Sequence, residues 1–231
     1  MNNFFEESLF AGIVLSLISY EIGLLIKKKL KLPIFNPLLI SMVIIMLVLV
    51  FGKIEYTTYK ESANLLNWLL TPATVCLAIP LYEQWNLLKN NYKAVLAGLV
   101  AGTVTSLTTV LVLSVICRLS HEEYVTFLPK SITTAIGMGV SQELGGYVTI
   151  TVAVIVITGV LGNMFGETLC KLFKITEPVS KGLAFGASAH AMGTAKAMEI
   201  GEIEGAMSSL AIAVSGLVTV ILAPVFSNFI S

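Results

Sequence analysis

Three ionisable side chains lie within residues 190–199, in the middle of a segment, residues 182–205, that consists mostly of small residues (GLAFGASAHAMGTAKAMEIGEIEG). They are His190, Lys196 and Glu199, and the hydroxyl residues Ser188 and Thr194 lie among them. A cation at the centre of a bilayer costs about 3 kcal/mol, so a lysine in an apolar chain is a candidate functional residue. The surrounding glycines and alanines let helices approach closely, or let one helix stop and another begin. This composition is typical of the binding segment of a transport protein.

Two interpretations of this segment compete. In a continuous helix, His190 and Thr194 share a face, and so do Lys196 and Glu199, because residues three and four apart are neighbours. In the functional interpretation, Lys196 or His190 neutralises a carboxylate substrate, while Ser188 and Thr194 donate hydrogen bonds. In the structural one, Lys196 pairs with Glu199 and His190 bonds a backbone carbonyl. We favour the functional interpretation, because a buried ion pair is a poor device for stability alone.

A second polar segment, residues 128–146, begins LPKSITT. Ser131, Thr133 and Thr134 follow a proline there, as at the start of a half-helix, whose free N–H groups and positive dipole end suit an anion. An equally good explanation is that these hydroxyl groups donate hydrogen bonds to backbone carbonyls four residues earlier in the same helix. Lys130 fits an interfacial anchor as well as a ligand. Glu143 and Glu199 are candidates for coupling to protons or cations, although solvated helix ends explain them equally well.

The composition excludes several classes of protein. The 231 residues are 56% hydrophobic and 12% charged, whereas soluble domains carry about 25% charged residues. The net charge is zero, which argues against nucleic acid as a partner. No GxxxxGK[ST], HExxH or GxSxG motif is present, so an enzyme of those classes has no support. The three cysteines lack metal-ligand spacing, and we expect neither a metal nor a cofactor.

Six stretches are long and apolar enough to cross a hydrocarbon core of about 30 Å as helices. They are residues 9–26, 34–52, 63–81, 94–117, 149–169 and 206–230. The sequence therefore predicts an all-α polytopic protein with about six transmembrane helices. The segments 128–146 and 182–205 are added to these as interrupted or re-entrant elements. We expect one integral membrane domain over residues 1–231.

The distribution of basic residues bears on the path of the two added segments. If each enters and leaves on the same side, nine basic residues fall on one face and four on the other. The nine are Lys27, Lys28, Lys29, Lys31, Lys89, Lys93, Lys171, Lys174 and Lys181, and the four are Lys53, Lys60, Arg118 and Lys130. This split obeys the positive-inside rule with both termini outside. If residues 128–146 cross fully, the split becomes six to seven and the bias disappears.

Small-residue patterns add two further expectations. Residues 72–81 align with residues 129–138 at an offset of 57, and the same offset relates Gly102, Gly159 and Gly216. An internal repeat with interrupted segments at matching positions is typical of transporters, although chance matches in an apolar chain explain the alignment as well. GxxxG spacings occur at 98/102, 162/166 and 182/186. They indicate close helix packing, within or between subunits.

Four stretches together resemble one family. They are TPATVCLAIPLY, PKSITTAIGMGVSQELGG, ITGVLGNMFG and GLAFGASAHAMGTAKAMEIGEIEGAMSSLAIAVSG. They are similar to the LrgB/CidB family of bacterial membrane proteins, over most of the chain. The resemblance implies a multi-pass protein of the bacterial cytoplasmic membrane that works beside a smaller LrgA/CidA-type partner. It also implies either a holin/antiholin-like role in murein hydrolase activity and autolysis, or transport of small carboxylates.

Our leading hypothesis is a secondary transporter, or its larger subunit, for a small monocarboxylate such as pyruvate or glycolate. Its interrupted helices would give alternating access. The proposed substrate contacts are Ser131, Thr133, Thr134, Ser188, His190, Thr194 and Lys196. The alternative is a holin/antiholin-like oligomeric pore or regulator that modulates murein hydrolases, with the GxxxG patterns compatible with a homo-oligomer in the lipid bilayer.

Overall fold

A computed structural model describes residues 8, 10–30, 35–76 and 78–230, apart from the side chains of residues 70, 74, 80 and 81. Every regular element in these ranges is a helix, as the sequence predicts. The helices are α1 (Ala11–Leu30), α2 (Pro37–Gly52), α3 (Tyr56–Ser62), α4 (Asn64–Cys76), α5 (Ala78–Glu83), α6 (Trp85–Cys117), α7 (His121–Phe127), α8 (Thr134–Glu143), α9 (Val148–Leu172), α10 (Pro178–Ile200) and α11 (Glu202–Ser227).

Three of the described helices, α6, α9 and α11, are long and apolar enough to cross a membrane. They contain most of the predicted crossings 94–117, 149–169 and 206–230. Helix α2 has 16 residues, slightly below the length of about 17–25 that a crossing needs. The crossing predicted at 63–81 falls on α4 and α5, with residue 77 outside the described residues. Residues 9 and 34, where two further crossings were expected to begin, lie outside them as well. The count of six stays a prediction.

The chain divides into two compact units, Met1–Cys76 and Leu77–Ser231. In the first unit, α1 packs mainly against α2 and α3. Asn36 is the N-cap residue of α2, and its side chain accepts a 2.8 Å hydrogen bond from the Leu38 amide, which satisfies an N–H group at the start of the helix. The Gly12 amide donates to Ser62 Oγ at 3.1 Å. A side chain at Gly12 would meet that oxygen, so the glycine permits the close approach of α1 and α3.

The second unit is built around α9, α10 and α11, with α6 packed against α10 and α11. Ala206, Met207 and Ala211 form one part of its core together with Val95 and Leu99 from α6. Large apolar side chains on α6, α9 and α11 point outward. Exposed apolar side chains on long helices are expected of a protein whose surroundings are lipid.

The two polar segments take different forms. Residues 128–133 form a turn after α7, and α8 follows with ten residues. This corresponds to about 15 Å, or half of a hydrocarbon core. Residues 182–205 lie in α10 and the first turn of α11. Because α8 is only about half as long as a helix that crosses the membrane, it fits an interrupted element. Its re-entrant path stays a prediction.

Two of the three GxxxG spacings pack inside this chain. Added side chains at Gly162 and Gly166 would collide with α10, and added side chains at Gly182 and Gly186 would collide with α11. Gly102, by contrast, has nothing within 4 Å of an added Cβ. The three glycines that the repeat aligns therefore have different surroundings. The repeat itself stays a prediction.

Candidate functional site

Helix α10 is interrupted in the middle of the second polar segment. The backbone leaves helical geometry at Ala189 (φ −131°, ψ 17°) and at His190 (φ 42°, ψ −135°). A positive φ on a residue with a side chain is uncommon and costs of order 1–3 kcal/mol. Such strain persists only where the surrounding contacts hold it. The interruption therefore depends on the partners of the residues next to it.

The His190 side chain is one of those contacts. It is 4% exposed, and its Nε2 lies 3.1 Å from the carbonyl oxygen of Ile155 in α9. Since a carbonyl only accepts, this nitrogen carries the proton and donates. The ring lies directly against Gly159, where an added Cβ would be 2.7 Å from Nε2. The glycine thus makes room for the imidazole, and the hydrogen bond ties the interruption to α9.

A buried hydroxyl pair joins the same region to α11. Thr194 Oγ1 donates to the His190 carbonyl oxygen at 3.0 Å, and it lies 2.7 Å from Ser208 Oγ. Because Thr194 has one proton and gives it to the carbonyl, Ser208 donates to Thr194. Both residues are at most 1% exposed. The pair therefore links the carbonyl at the interruption to the neighbouring helix.

Asn163 holds the residues after the interruption against α9. Its Nδ2 donates to the Met192 carbonyl oxygen at 2.7 Å. Helix α9 therefore makes one hydrogen bond at the interruption, to His190, and a second just after it, to Met192. These contacts satisfy polar groups that would be costly to leave unpaired in an apolar interior.

Lys196 lies in a group of ion pairs. Its Nζ is 3.2 Å from Glu199 Oε2 and 3.4 Å from Glu167 Oε2. Glu167 also pairs with Lys171 at 2.8 Å. The Lys196 side chain is 19% exposed, while both glutamates are more open, so the group lies at the periphery. These contacts, with those of His190, are the ones that the structural interpretation of the segment predicts; a substrate contact for Lys196 stays a prediction.

The remaining predicted residues are spread over several places. Ser131 is buried and lies 3.2 Å from Ser106 Oγ of α6. Thr133 is the N-cap residue of α8, without a side-chain capping bond, and Thr134 is its first residue. Ser188 is exposed and bonds the Ala184 carbonyl at 2.6 Å, which is the local alternative for hydroxyls in helices. Glu143 is exposed at the end of α8.

The predicted residues therefore do not form a single contact group. His190 and Thr194 are joined through a backbone carbonyl, and Lys196 and Glu199 are joined as an ion pair. Residues that sequence reasoning missed complete these contacts. Asn163 was detectable as the one strongly polar amide inside an apolar helix (VTITVAVIVITGVLGNMFGETLCKL). Ser208 gave no comparable signal, because serine is common in membrane helices.

Glu204 was also missed. It is 7% exposed and lies in the first turn of α11, where the positive end of the helix favours a carboxylate. The sequence has glutamates at 199, 202 and 204, and only the register of α11 shows which of them is turned inward.

Long apolar helices, outward-facing apolar side chains and a buried interruption define this chain as an α-helical integral membrane protein. Residues 16–229 match the model of the LrgB-like family. The chain is 38% identical over 220 residues to the antiholin-like protein LrgB of Bacillus subtilis (strain 168), covering 95% of each chain. It is 36% identical over 220 residues to proteins of the same name from Bacillus mycoides (strain KBAB4) and Bacillus cereus (strain B4264), covering 95% of this chain and 96% of theirs. No solved structure matches it. The chain belongs to the LrgB family.

Proposed function

We propose that this protein is an antiholin-like regulator in the cytoplasmic membrane of a bacterium, with both termini outside. The observation that supports this most is the 38% identity over 220 residues to an antiholin-like protein LrgB. In this proposal it acts beside a small LrgA/CidA-type membrane protein and thereby modulates murein hydrolase activity and autolysis. The comparisons support this function more directly than they support a monocarboxylate carrier.

The packing of the second unit argues against a pore through a single copy of the chain. Such a pore needs an open, wet interior, whereas Ala197, Ala206, Met207 and Ala211 have no exposed surface at all. Ala206, Met207 and Ala211 pack in one core cluster, and Ala197 packs in another. A filled core of small side chains is typical of a closed helix bundle. A closed bundle fits a protein that opposes leakage.

Autolysis in cells tests the proposal. The host is a bacterium that lacks its own LrgB-family protein and keeps its LrgA/CidA-type partner. We expect expression of this chain to slow autolysis and to reduce murein hydrolase activity on zymograms. A second host that also lacks the partner is the control, and there we expect no effect. Equal autolysis rates with and without the protein, at matched amounts in the membrane, would contradict the proposal.

A second candidate function, a carrier of a small monocarboxylate such as pyruvate or glycolate, has one specific observation in its favour. Helix α10 is interrupted at a buried position, and interrupted helices are typical of binding sites in secondary transporters. The residues proposed to contact substrate are Ser131, Thr133, Thr134, Ser188, His190, Thr194 and Lys196. Glu143 and Glu199 are proposed to couple transport to an ion.

Uptake by a strain that depends on the protein for pyruvate tests this candidate. We expect His190→Ala and Lys196→Ala each to lower the initial rate about tenfold, equivalent to about 1.4 kcal/mol of lost interaction. Lys171→Ala is the matched control, because Lys171 pairs with the same Glu167 carboxylate and is not among the proposed contacts. Unchanged uptake by both site variants would exclude this site.

A further inference from the structure

An apolar groove runs along the beginning of α6, in the second unit. Six of the residues that line it lie on one face of α6, because they are spaced as neighbours on a helix surface. They are Trp85, Leu88, Lys89, Tyr92, Val95 and Leu96, and Leu210 of α11 completes the wall. The volume of the groove is about 260 Å³. A water molecule takes up about 30 Å³ and a methylene group is of similar size, so the groove has room for about nine methylene groups.

The floor of the groove belongs to the packed core, whereas its rim is open. Leu88, Val95 and Leu210 pack in the core cluster that joins α6 to α11, so the depression is a fixed part of the bundle. Trp85 is 55% exposed and Tyr92 is 50% exposed. Aromatic side chains with a polar tip are enriched where a membrane meets water. The open rim therefore fits a position near a membrane surface.

The length of α6 places the groove at the edge of the hydrocarbon core. The helix has 33 residues, which corresponds to about 50 Å, whereas the hydrocarbon core is about 30 Å thick. Its first nine residues (WNLLKNNYK) include two lysines and three asparagines, and the apolar residues 94–117 follow. Residues 85–93 therefore reach the headgroup region, and the groove continues from there to Leu96 in the apolar part of the helix.

The headgroup end of the groove has two positive charges close to it. Lys89 is the only charged residue among the described residues of the wall. Lys93 lies one turn further along, with its Nζ 5.9 Å from the centre of the Tyr92 ring. Like charges four residues apart on a helix repel each other, and no carboxylate of the described residues lies within salt-bridge distance of either lysine. The two lysines therefore attract an anion.

A polar depression adjoins the groove at Tyr92, which lines both. Asn90, Asn91, Lys93 and Ala94 form the rest of its described wall. Asparagine amides and lysine ammonium groups donate hydrogen bonds, and those between an ammonium group and a phosphate are among the stronger ones in proteins. An apolar groove thus lies beside a depression that offers donors to an anion. This arrangement matches the two parts of a phospholipid, an acyl chain and a phosphate.

We propose that the groove binds an anionic phospholipid, with an acyl chain along Leu96 and Leu210 and the phosphate at Lys89 and Lys93. Basic pockets between transmembrane helices bind acidic lipid headgroups in this way. A zwitterionic phospholipid fills the apolar part equally well, but its own cation compensates the phosphate and leaves the lysines without a counter-charge. A free phosphate leaves the apolar part uncovered. The site depends on neither proposed function, since lipid binding is measured without autolysis or transport.

Mass spectrometry of the intact full-length protein, released from detergent micelles, tests the proposal. The protein is titrated with phosphatidylglycerol and, in parallel, with phosphatidylcholine of the same acyl chains, and the dissociation constant of the first bound lipid is measured. We expect the wild type to bind phosphatidylglycerol at least about tenfold more tightly, or about 1.4 kcal/mol. In the double variant Lys89→Gln/Lys93→Gln, phosphatidylglycerol should bind about tenfold more weakly, and phosphatidylcholine should bind as before.

Lys171→Gln/Lys174→Gln is the matched control, because it removes the same charge from two exposed lysines that do not line the groove. Both double variants change only exposed side chains, so they should fold, and the control should keep the preference of the wild type. Glycerol phosphate, a headgroup without chains, should not displace the bound lipid at equal concentration. Equal affinity for the two lipids, equal losses in both double variants, displacement by glycerol phosphate, or a lipid-free dimer that Trp85→Ala dissociates would each overturn the proposal.

Discussion

The contact between α10 and α11 at Gly186 allows a quantitative prediction. A Cβ added at Gly186 would collide with the backbone carbonyl of Ser208 and would lie 2.6 Å from Ala211 Cβ. Backbone atoms of a packed helix cannot turn aside as a flexible side chain can, so the two helices must separate. Overpacking of this kind costs about 1–3 kcal/mol.

A second glycine in the same unit serves as the matched control. Gly102 has nothing within 4 Å of an added Cβ. Replacing a helix glycine by alanine stabilises the backbone by roughly 0.5–1 kcal/mol, and this gain applies equally to Gly186→Ala and Gly102→Ala. The difference in the free energy of unfolding between the two variants therefore measures the cost of the collision at Gly186 alone.

The assay is thermal unfolding of the two purified variants in the same detergent, followed by far-ultraviolet circular dichroism at one scan rate. For a protein of this size, 1 kcal/mol corresponds to about 2–4 °C in melting temperature. We expect Gly186→Ala to melt about 2–12 °C below Gly102→Ala, which follows from the same conversion. If Gly186→Ala melts at or above Gly102→Ala, the close approach of α10 and α11 is wrong.

Three further predictions concern side chains of α10 and use the same melting assay. Thr194→Val leaves the Ser208 hydroxyl unpaired and should lower the free energy of unfolding by about 1–3 kcal/mol. The double variant Thr194→Val/Ser208→Ala should lose less stability than the two single variants added together. Additive losses would contradict a hydrogen bond between the two hydroxyl groups. His190→Gly should melt above His190→Ala, because both lose the imidazole and only glycine tolerates the positive φ without strain; the reverse order would show that the backbone there is unstrained. Lys196→Met should change stability by less than about 1 kcal/mol, as expected of an ion pair at the periphery, and a larger loss would refute that position.

The helical class of the fold and its longest helices could be predicted from the sequence. Residues 94–117 and 149–169 are apolar stretches longer than most helices of soluble proteins. Both stretches lie inside described helices, α6 and α9. The crossing predicted at 63–81 contains two prolines, and Pro72 lies inside α4. Apolar length alone does not show how such a segment is divided into helices.

The candidate site was only partly predictable, because its contacts join residues that are distant in sequence. His190 bonds a carbonyl 35 residues away, and Thr194 bonds a hydroxyl 14 residues away. Spacing within one helix predicted that Lys196 and Glu199 are neighbours, since only local geometry is involved. No local pattern shows which face of α11 turns inward, so the buried positions of Ser208 and Glu204 required the tertiary structure.

A small cavity between α6, the turn at residues 128–133, α10 and α11 is lined by hydroxyl side chains and shows the same limit, because two of them, Thr103 and Ser215, have no hydrogen-bond partner among the described residues. Ser131 was singled out because it follows a proline at the start of a polar segment. Thr103 and Ser215 lie in the middle of apolar helices, where a lone hydroxyl normally bonds its own backbone. Their lack of such a bond depends on how α6, α10 and α11 meet, which is a property of the packed bundle.

The central claim, that this protein is a regulator and neither a pore nor a carrier by itself, is tested most directly in liposomes. The measurement is release of an entrapped dye, together with uptake of labelled pyruvate, in vesicles that contain this protein, the LrgA/CidA-type partner, or both. We predict that the partner alone releases dye, that addition of this protein reduces the release, and that this protein alone releases none. Unchanged release in the presence of both proteins, or saturable pyruvate uptake by this protein alone, would contradict the claim.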